Sequence, residues 1–194
     1  MEEEATTLRK SERTRQAILG AARSHFAARG FDGANLRAIS ADASIDPAMV
    51  KRYFGSKEGL FAAAVQVDLQ LPALQDIPEE DRGRVLTTYF VRRWEGDLKD
   101  NDLVLLLRSA VTNEKVAEQL RTVFTSQVIS SLRPVLPASE LVRRAALLSS
   151  QMLGLALTRY ILALPGNVEQ PADLLIADVA PTVQRYLHGP LTPA

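Results

Sequence analysis

The chain has 194 residues, a length that suits one compact domain or a small module joined to a larger one. Hydrophobic residues make up 46% of the chain, which excludes disorder over most of its length. It contains no cysteine, which excludes disulfide scaffolds, thiol nucleophiles and cysteine-ligated metals, and its net charge of zero by itself argues against a nucleic-acid binder.

The charges are unevenly distributed along the chain. Residues 1–57 hold ten Lys and Arg residues against seven Asp and Glu residues, a net charge of +3, whereas residues 58–194 carry −3. Three of those seven acids are Glu2, Glu3 and Glu4, which we expect to lie in a flexible tail. A basic N-terminal module joined to an acidic body favours nucleic acid as a partner.

Two features argue against export and membrane insertion. The N-terminus is acidic, whereas a secretory signal begins basic and continues apolar. The longest uncharged apolar run, Ala145–Thr158, has fourteen residues and is too short to span a bilayer. We therefore expect a cytoplasmic protein without a membrane partner.

The first predicted helix covers Ser11–Arg29. Apolar side chains, among them Ile18 and Phe26, recur at three- and four-residue steps and form one stripe. His25 interrupts that stripe, and we expect a satisfied, partly buried histidine there rather than a metal ligand. Gly30 follows at a position where a left-handed residue ends a helix.

Three shorter helices are expected next, each opened by a residue that can cap it. A proline at the first position of the middle one supports its assignment, because the fixed φ of proline suits the start of a helix. The caps and helices are Asn35 before Leu36–Ala43, Asp46 before Pro47–Tyr53, and Ser56 before a helix from Lys57 to about Leu71.

The remaining chain favours further helices. Apolar residues recur at helical spacing, and no stretch alternates apolar and polar residues as a strand would. Prolines and glycines separate the segments. The sequence therefore predicts an all-α fold of about nine helices, the later ones at Glu79–Glu95, Asn101–Thr112, Glu114–Leu136, Ser139–Leu164 and Ala172–Leu187.

The stretch LRAISADASIDPAMVKRYF, residues 36–54, has the pattern of a helix-turn-helix. Two short helices that cross steeply need apolar residues at fixed places and a small residue at the crossing. Ile39 and Val50 supply apolar positions, Ser40 is the small residue, and Ser44-Ile45-Asp46 makes the turn. The second helix would lie in a DNA major groove. The pattern alone is moderately specific, because any short helical hairpin could produce it.

The flanking sequence adds specificity. The run AILGAARSHFAARGF, followed by LRAIS and RYFGSKEGLF, resembles the DNA-binding module of the tetracycline-repressor (TetR) family over about residues 11–65. The resemblance implies a transcriptional repressor that binds a palindromic operator as a homodimer and is released by a small molecule. Two positions depart from the family pattern. Ser44 stands where the turn usually holds glycine, at a strain on the order of 1 kcal/mol, and Lys51 replaces a common aromatic residue.

The resemblance and the polar side chains together give a set of candidate DNA contacts. Lys57 begins the fourth helix, where backbone N–H groups and its ammonium group can hold a phosphate. Ala48 and Met49 can contact a thymine methyl group, and Tyr53 matches a family position that contacts phosphate or packs the module. A solvated surface role is the alternative for each basic residue. The set is Arg13, Thr14, Asn35, Arg37, Asp46, Ala48, Met49, Lys51, Arg52, Tyr53 and Lys57.

We expect the C-terminal part to dimerise, because one DNA-binding module makes too few contacts for tight specific binding. Its last two helices carry more apolar surface than one side of a helix can bury, which favours a four-helix interface between two chains. A monomer core is the alternative. The interface candidates are Leu141, Ala145, Leu148, Met152, Leu155, Tyr160, Leu175, Val179, Val183 and Tyr186.

Polar and aromatic residues on otherwise apolar helices are the candidates for a small-molecule pocket. Arg108 and Arg159 each follow an apolar, leucine-rich run, where a cation needs either an acidic side chain of the fold or an acidic ligand. The pocket candidates are Tyr89, Phe90, Trp94, Arg108, Phe124, Gln127, Gln151 and Arg159.

Two other functional classes compete with this interpretation. An enzyme is disfavoured, since the sequence has no glycine-rich phosphate loop, no Ser/His/Asp arrangement and no metal-ligand spacing, and we predict no cofactor and no metal. A helical interaction module would share the apolar helices without needing the basic segment. We predict a helix-turn-helix DNA-binding domain over residues 1–56 and a ligand-binding and dimerisation domain over residues 57–194.

Overall fold

A computed structural model describes residues 2–96 and 101–192. Within these ranges the chain forms nine helices and no strand, which confirms the predicted all-α fold. The helices are α1 (Glu2–Gly33), α2 (Leu36–Asp42), α3 (Pro47–Phe54), α4 (Lys57–Ala64), α5 (Arg82–Glu95), α6 (Asn101–Ala110), α7 (Glu114–Val123, continued by a π-helical turn, Phe124–Ile129, and by Ser130–Leu132), α8 (Leu141–Leu155, continued by a π-helical turn, Ala156–Ile161) and α9 (Ala172–His188).

The described residues divide into two compact units. The first comprises residues 2–67 and 101–121, and the second comprises residues 68–96 and 122–192. This division differs from the predicted boundary between residues 56 and 57, because α4 and α6 both pack against α1. The three helices predicted to bind DNA are therefore part of a larger unit.

The first helix is longer than the sequence pattern indicated. It begins at Glu2 rather than at Ser11, and so includes the residues expected to form a tail. Gly30 has a φ of 68° and interrupts the helix, as expected, before a last turn that ends at Gly33.

Aromatic side chains hold α1 to α4 in the first unit. The ring centroids of Phe26 and Phe61 lie 4.9 Å apart and those of Phe31 and Phe61 lie 5.2 Å apart, both in edge-to-face geometry. Ile18 on α1 and Leu60 on α4 are also fully buried. The apolar stripe predicted on the first helix is thus the side that packs into the core.

The fourth helix is shorter than predicted, because it ends at Ala64 instead of continuing to about Leu71. The side-chain amide of Gln119 donates to the carbonyl of Val65 at 2.6 Å, and the N–H of Leu69 donates to the side-chain oxygen of Gln127 at 2.7 Å. Both glutamines belong to α7. Their side-chain amides replace two of the backbone hydrogen bonds that a continued helix would have made.

The second unit is built around the close approach of α5 and α9. The N–H of Gly83 donates to the side-chain oxygen of Gln184 at 2.7 Å, and the amide nitrogen of Gln184 donates to the carbonyl of Glu79 at 2.8 Å. The core beside this contact is formed by buried residues of α5, α7, α8 and α9, among them Leu86, Leu132, Leu148, Val183 and Leu187.

Candidate nucleic-acid interface

The helices α2 and α3 are opened by the caps that the sequence predicts. The side chain of Asn35 accepts from the N–H of Arg37 at 2.8 Å, and the side chain of Asp46 accepts from the N–H of Ala48 at 2.7 Å. Between the helices, Ser44 has a φ of 56°, which lies in the left-handed region that favours glycine. The helix-turn-helix therefore contains one strained residue.

Buried side chains join α2 and α3 to the rest of the module. Ile39 of α2 is fully buried and Val50 of α3 is nearly so. The hydroxyl of Ser40 donates to the carbonyl of Leu36 at 2.6 Å, and the backbone carbonyl of Ser40 accepts from Ile45 at 2.9 Å. The small side chain predicted for the crossing is thus buried, with its hydroxyl satisfied within its own helix.

A buried histidine links α1 to the end of α2. The Nε2 atom of His25 lies 2.5 Å from a carboxylate oxygen of Asp42, and Nη1 of Arg29 lies 3.0 Å from His25 Nδ1. Because a guanidinium only donates, this geometry makes Nδ1 an acceptor and leaves the proton on Nε2 for Asp42. His25 is therefore a satisfied structural histidine, as the sequence suggested.

The exposed residues of the module include most of the predicted DNA contacts. On α3, Ala48, Lys51 and Arg52 are exposed, while Met49 is half-buried. The cations of Arg37 on α2 and Arg13 on α1 are also exposed. The capping residues Asn35 and Asp46 are exposed as well. The predicted contacts thus include four accessible positive charges on three helices.

Tyr53, whose predicted role was open between core and contact, has features of both. It is half-buried, and its hydroxyl oxygen lies 2.9 Å from that of Ser11 on α1. Thr14, the other hydroxyl candidate, is half-buried on α1. Tyr53 therefore fixes the end of α3 to α1 while part of its side chain stays accessible.

Lys57 is more constrained than the sequence indicated. Its Nζ atom donates to the carbonyl of Asp32 at 3.1 Å and lies 4.8 Å from the centroid of the Phe31 ring. The cap of α4 is formed as predicted, since the N–H of Gly59 donates to the hydroxyl of Ser56 at 3.1 Å. A phosphate would have to share the ammonium group with the Asp32 carbonyl.

Two further basic residues of α1 serve the module, and sequence reasoning did not single them out. The guanidinium of Arg15 lies 5.8 Å from the centroid of the Phe54 ring, and Nε of Arg23 donates to the carbonyl of Ala64 at 2.8 Å. The signal for Arg15 was its position three residues before Ile18, which continues the buried stripe of α1 towards α3.

The residues predicted to bind a small molecule fall into separate groups. The hydroxyl of Tyr89 donates to the carbonyl of Leu69 at 2.5 Å, and the side-chain oxygen of Gln127 accepts from the N–H of Leu69. Both side chains therefore contact the non-helical segment that follows α4. Phe90 and Trp94 pack together, with ring centroids 5.9 Å apart. Arg108 lies in the first unit and is exposed, whereas the other candidates belong to the second unit.

Arg159, in contrast, is buried and has an internal partner. Its Nη2 and Nε atoms donate to one carboxylate oxygen of Glu95 at 2.7 Å and 2.8 Å, and Nη1 donates to the carbonyl of Asn167. Of the two alternatives left open by the sequence, an acidic side chain of the fold is the one observed. The last candidates, Phe124 and Gln151, are half-buried.

The apolar residues predicted to form a dimer interface are mostly inside the chain. Leu148 and Val183 belong to the core between α5, α8 and α9, and Leu155 and Leu175 pack with Val91. Those side chains have no surface left for a partner, and this part of the prediction is corrected. The buried members are Leu141, Ala145, Leu148, Leu155, Leu175 and Val183, while Met152, Val179, Tyr186 and Tyr160 are half-buried.

A different set of apolar residues on the same helices is exposed. Val142 has 61% of its surface exposed, Leu157 has 43% and Leu174 has 52%. Val142, Ala146, Leu153 and Leu157 recur at helical spacing along α8 and its π-helical turn, so they share one side of it. This exposed stripe is where α8 could contact another molecule.

Neither a metal site nor a membrane span is seen in the described part of the chain. No three His, Asp or Glu side chains lie close enough there to hold an ion. No described helix is both long and apolar enough to cross a bilayer.

Two family models match the chain, one for each half of the architecture. The model described as bacterial regulatory proteins, tetR family, matches residues 18–64, which include α2, α3 and α4. The model for the tetracyclin repressor-like C-terminal domain matches residues 80–187. No curated protein matches the chain in a sequence search.

Solved structures with the same architecture extend over nearly the whole chain. A TetR-family regulator from Streptomyces coelicolor is 27% identical, with a TM-score of 0.63 over 91% of this chain and 95% of its own. A putative TetR-family regulator from Rhodococcus is 16% identical, with a TM-score of 0.62 over 91% and 100%. NalD of Pseudomonas aeruginosa, the secondary repressor of the MexAB-OprM multidrug efflux pump, is 21% identical, with a TM-score of 0.60 over 91% and 97%.

Proposed function

Since the chain belongs to the TetR family of DNA-binding transcriptional regulators, we propose that it is a repressor which binds a palindromic operator as a homodimer and is released by a small molecule. The observation that carries the proposal is the exposed side of α3, where Ala48, Lys51 and Arg52 are accessible on a helix capped by Asp46. We expect the protein to act in the cytoplasm, where its DNA partner lies.

The geometry of α3 suits the reading of a major groove. The N-terminal residues of a recognition helix contact base edges, and Ala48 is the exposed apolar residue of the first turn. Lys51 and Arg52 follow within one turn and can bind phosphate oxygens or the acceptors of guanine. Arg37 and Arg13 add cations from α2 and α1, which would fix the module on the backbone of the duplex.

A homodimer is supported by exposed apolar residues on α8 and α9. Three large side chains with about half of their surface in water, Val142, Leu157 and Leu174, are costly for a monomer and suit a covered interface. Two chains related by a two-fold axis would bring two DNA-binding modules to the two halves of a palindrome. The interface that we propose lies on α8 and α9, the helices predicted for it from the sequence, but it uses other residues of those helices.

Release by a small molecule would follow from thermodynamic linkage between ligand binding and DNA binding. A ligand that binds the DNA-free conformation more tightly lowers operator affinity by no more than that difference in affinity. The half-buried aromatic residues of the second unit are the candidates to line such a site, and NalD, a protein of the same fold, is a repressor.

Fluorescence anisotropy with labelled duplexes that tile the DNA upstream of the gene tests the proposal. We expect one fragment to bind more tightly than an unrelated duplex, with an affinity that falls steeply as salt rises. Lys51→Glu should weaken this binding by at least about tenfold and reduce the salt slope by roughly one for each half-site. A protein that binds no duplex above the unrelated control would be a helical interaction module instead.

A matched charge reversal controls for net charge. Arg84 is exposed on α5 in the second unit, so Arg84→Glu changes the total charge by the same amount as Lys51→Glu. We expect Arg84→Glu to keep the affinity within about threefold, because a charge remote from the duplex is screened by salt. Equal losses from the two variants would contradict the assignment of α3 to the DNA.

A further inference from the structure

One buried polar atom of the second unit has no hydrogen-bond partner among the residues that the structure describes, the indole Nε1 of Trp94. Only 6% of the surface of Trp94 is exposed, so water does not serve as the usual substitute. An indole N–H is a donor and never an acceptor. Buried donors are nearly always paired, so an unpaired one calls for an explanation, and an acceptor supplied by a ligand is one.

The polar groups around Trp94 are committed to one another. One carboxylate oxygen of Glu95 accepts from Arg159 at 2.7 Å and 2.8 Å and from the hydroxyl of Tyr160 at 3.1 Å. Arg159 also donates to the carbonyl of Asn167. Burial, and then the carboxylate of Glu95, raise the pKa of the Tyr160 hydroxyl, which therefore keeps its proton. One cation and one anion neutralise each other here, which leaves no charge for a charged ligand to meet.

The backbone of α8 is unusual at the same place. Arg159 and Tyr160 are consecutive residues, and consecutive side chains of a regular α-helix point in different directions. Here both reach Glu95, and both lie in the π-helical turn Ala156–Ile161. Single π-helical turns are frequently found at functional sites.

Two aromatic rings pack against the indole of Trp94. The rings of Trp94 and Tyr160 are stacked, with centroids 4.9 Å apart and an interplanar angle of 10°. The ring of Phe90 lies 5.9 Å from that of Trp94 and 6.5 Å from that of Tyr160. Flat apolar surfaces with one placed polar group are typical of sites for small, flat ligands.

We propose that Phe90, Trp94 and Tyr160 form a binding site for a neutral, flat, largely apolar molecule that offers one carbonyl-type oxygen to the indole N–H of Trp94. This inference rests on the proposed function, because it names the chemical class of the small molecule that would release the repressor. It also differs from the acidic ligand that an unpaired Arg159 would have required.

The single tryptophan of the chain gives a direct measurement. In a two-dimensional proton–nitrogen NMR spectrum of the ¹⁵N-labelled full chain, the Trp94 indole N–H gives one cross-peak in an uncrowded region. Coumarin and flavone, both neutral and flat with one carbonyl group, should move this cross-peak downfield in a saturable way. Naphthalene has the shape of coumarin without an acceptor and should bind about tenfold more weakly, the difference of one hydrogen bond.

Two conservative substitutions locate the contact. Trp94→Phe removes the N–H, so the roughly tenfold preference for coumarin over naphthalene, measured by calorimetry, should fall to about one. Tyr186→Phe is the matched control, because it removes a hydroxyl from a half-buried aromatic residue of the second unit that packs against the core with Leu132 and Leu187 and does not line the site. In that variant we expect the preference to stay within about twofold of the original value.

Three results would overturn the inference: no shift of the indole cross-peak with either carbonyl probe up to its solubility, equal affinity for coumarin and naphthalene, or a preference that survives Trp94→Phe. These measurements contain no DNA, so they are independent of operator binding. A chain that binds coumarin at Trp94 but never releases its operator would contradict the proposed release and leave the site intact. A chain that a small molecule releases from its operator, but whose Trp94 indole does not respond to coumarin, would contradict only the proposed site.

Discussion

The close approach of Gly83 to Gln184 gives a quantitative test of the packing of α5 against α9. A Cβ atom there would lie 2.6 Å from the N and Cβ atoms of Gln184 and 2.7 Å from its Cα. Overpacking of this kind costs about 1–3 kcal/mol, and a weakened hydrogen bond to Gln184 adds about 1 kcal/mol. The better helix propensity of alanine offsets roughly 1 kcal/mol. We therefore expect Gly83→Ala to lower the free energy of unfolding by about 1–3 kcal/mol.

Urea unfolding measures this effect, with the fluorescence of Trp94 as a probe of the second unit. Gly20→Ala is the matched control, since a Cβ atom at Gly20 on α1 meets nothing within 4 Å. It should raise stability by about 0.5–1 kcal/mol, through helix propensity alone. If Gly83→Ala is as stable as Gly20→Ala, the two helices do not approach as closely as the structure has them, and the reasoning is refuted.

Three further predictions concern the dimer, a pH effect and the buried ion pair. Leu157→Glu should shift the protein towards monomer in analytical ultracentrifugation, whereas Val111→Glu, at an 83% exposed residue of the first unit, should leave the oligomeric state unchanged. Burial lowers the pKa of His188, so the unfolded chain binds a proton at a higher pH than the folded chain does. The free energy of unfolding should therefore fall as the pH drops below about 6.5, and His188→Gln should remove this fall. Arg159→Met should lower the stability by about 2–3 kcal/mol, less than for a fully buried pair because Glu95 is partly exposed, and adding Glu95→Leu should recover most of it.

The parts of the fold that depend on neighbouring residues could be predicted from the sequence. The caps at Asn35 and Asp46 and the positive φ at Gly30 are set by the chemistry of one or two side chains. The end of α4 could not be predicted in this way. In place of its last turns, the segment makes hydrogen bonds with the side chains of Gln119 and Gln127, each more than fifty residues away in sequence from its backbone partner.

The candidate sites were predictable to different degrees. In α6 the buried residues Leu103 and Leu106 define the covered side of the helix, and Arg108 lies on another side. The helical spacing of the apolar residues therefore predicts an exposed Arg108, although its neighbours in sequence are leucines. The interface that we propose on α8 is harder to predict from the sequence, because Leu148 in the core and Leu157 on the surface are the same residue type. Only the packing of α5 and α9 decides which side of α8 is covered.

The central claim, that the outer side of α3 contacts DNA, can be tested by site-specific crosslinking. The chain has no cysteine, so an Ala48→Cys variant carries a single label when treated with 4-azidophenacyl bromide. On irradiation with the fragment identified by anisotropy, the account predicts a crosslink from Ala48→Cys and none from an equally labelled Arg84→Cys on α5. Crosslinking from Arg84→Cys alone, with operator affinity intact in both variants, would contradict it.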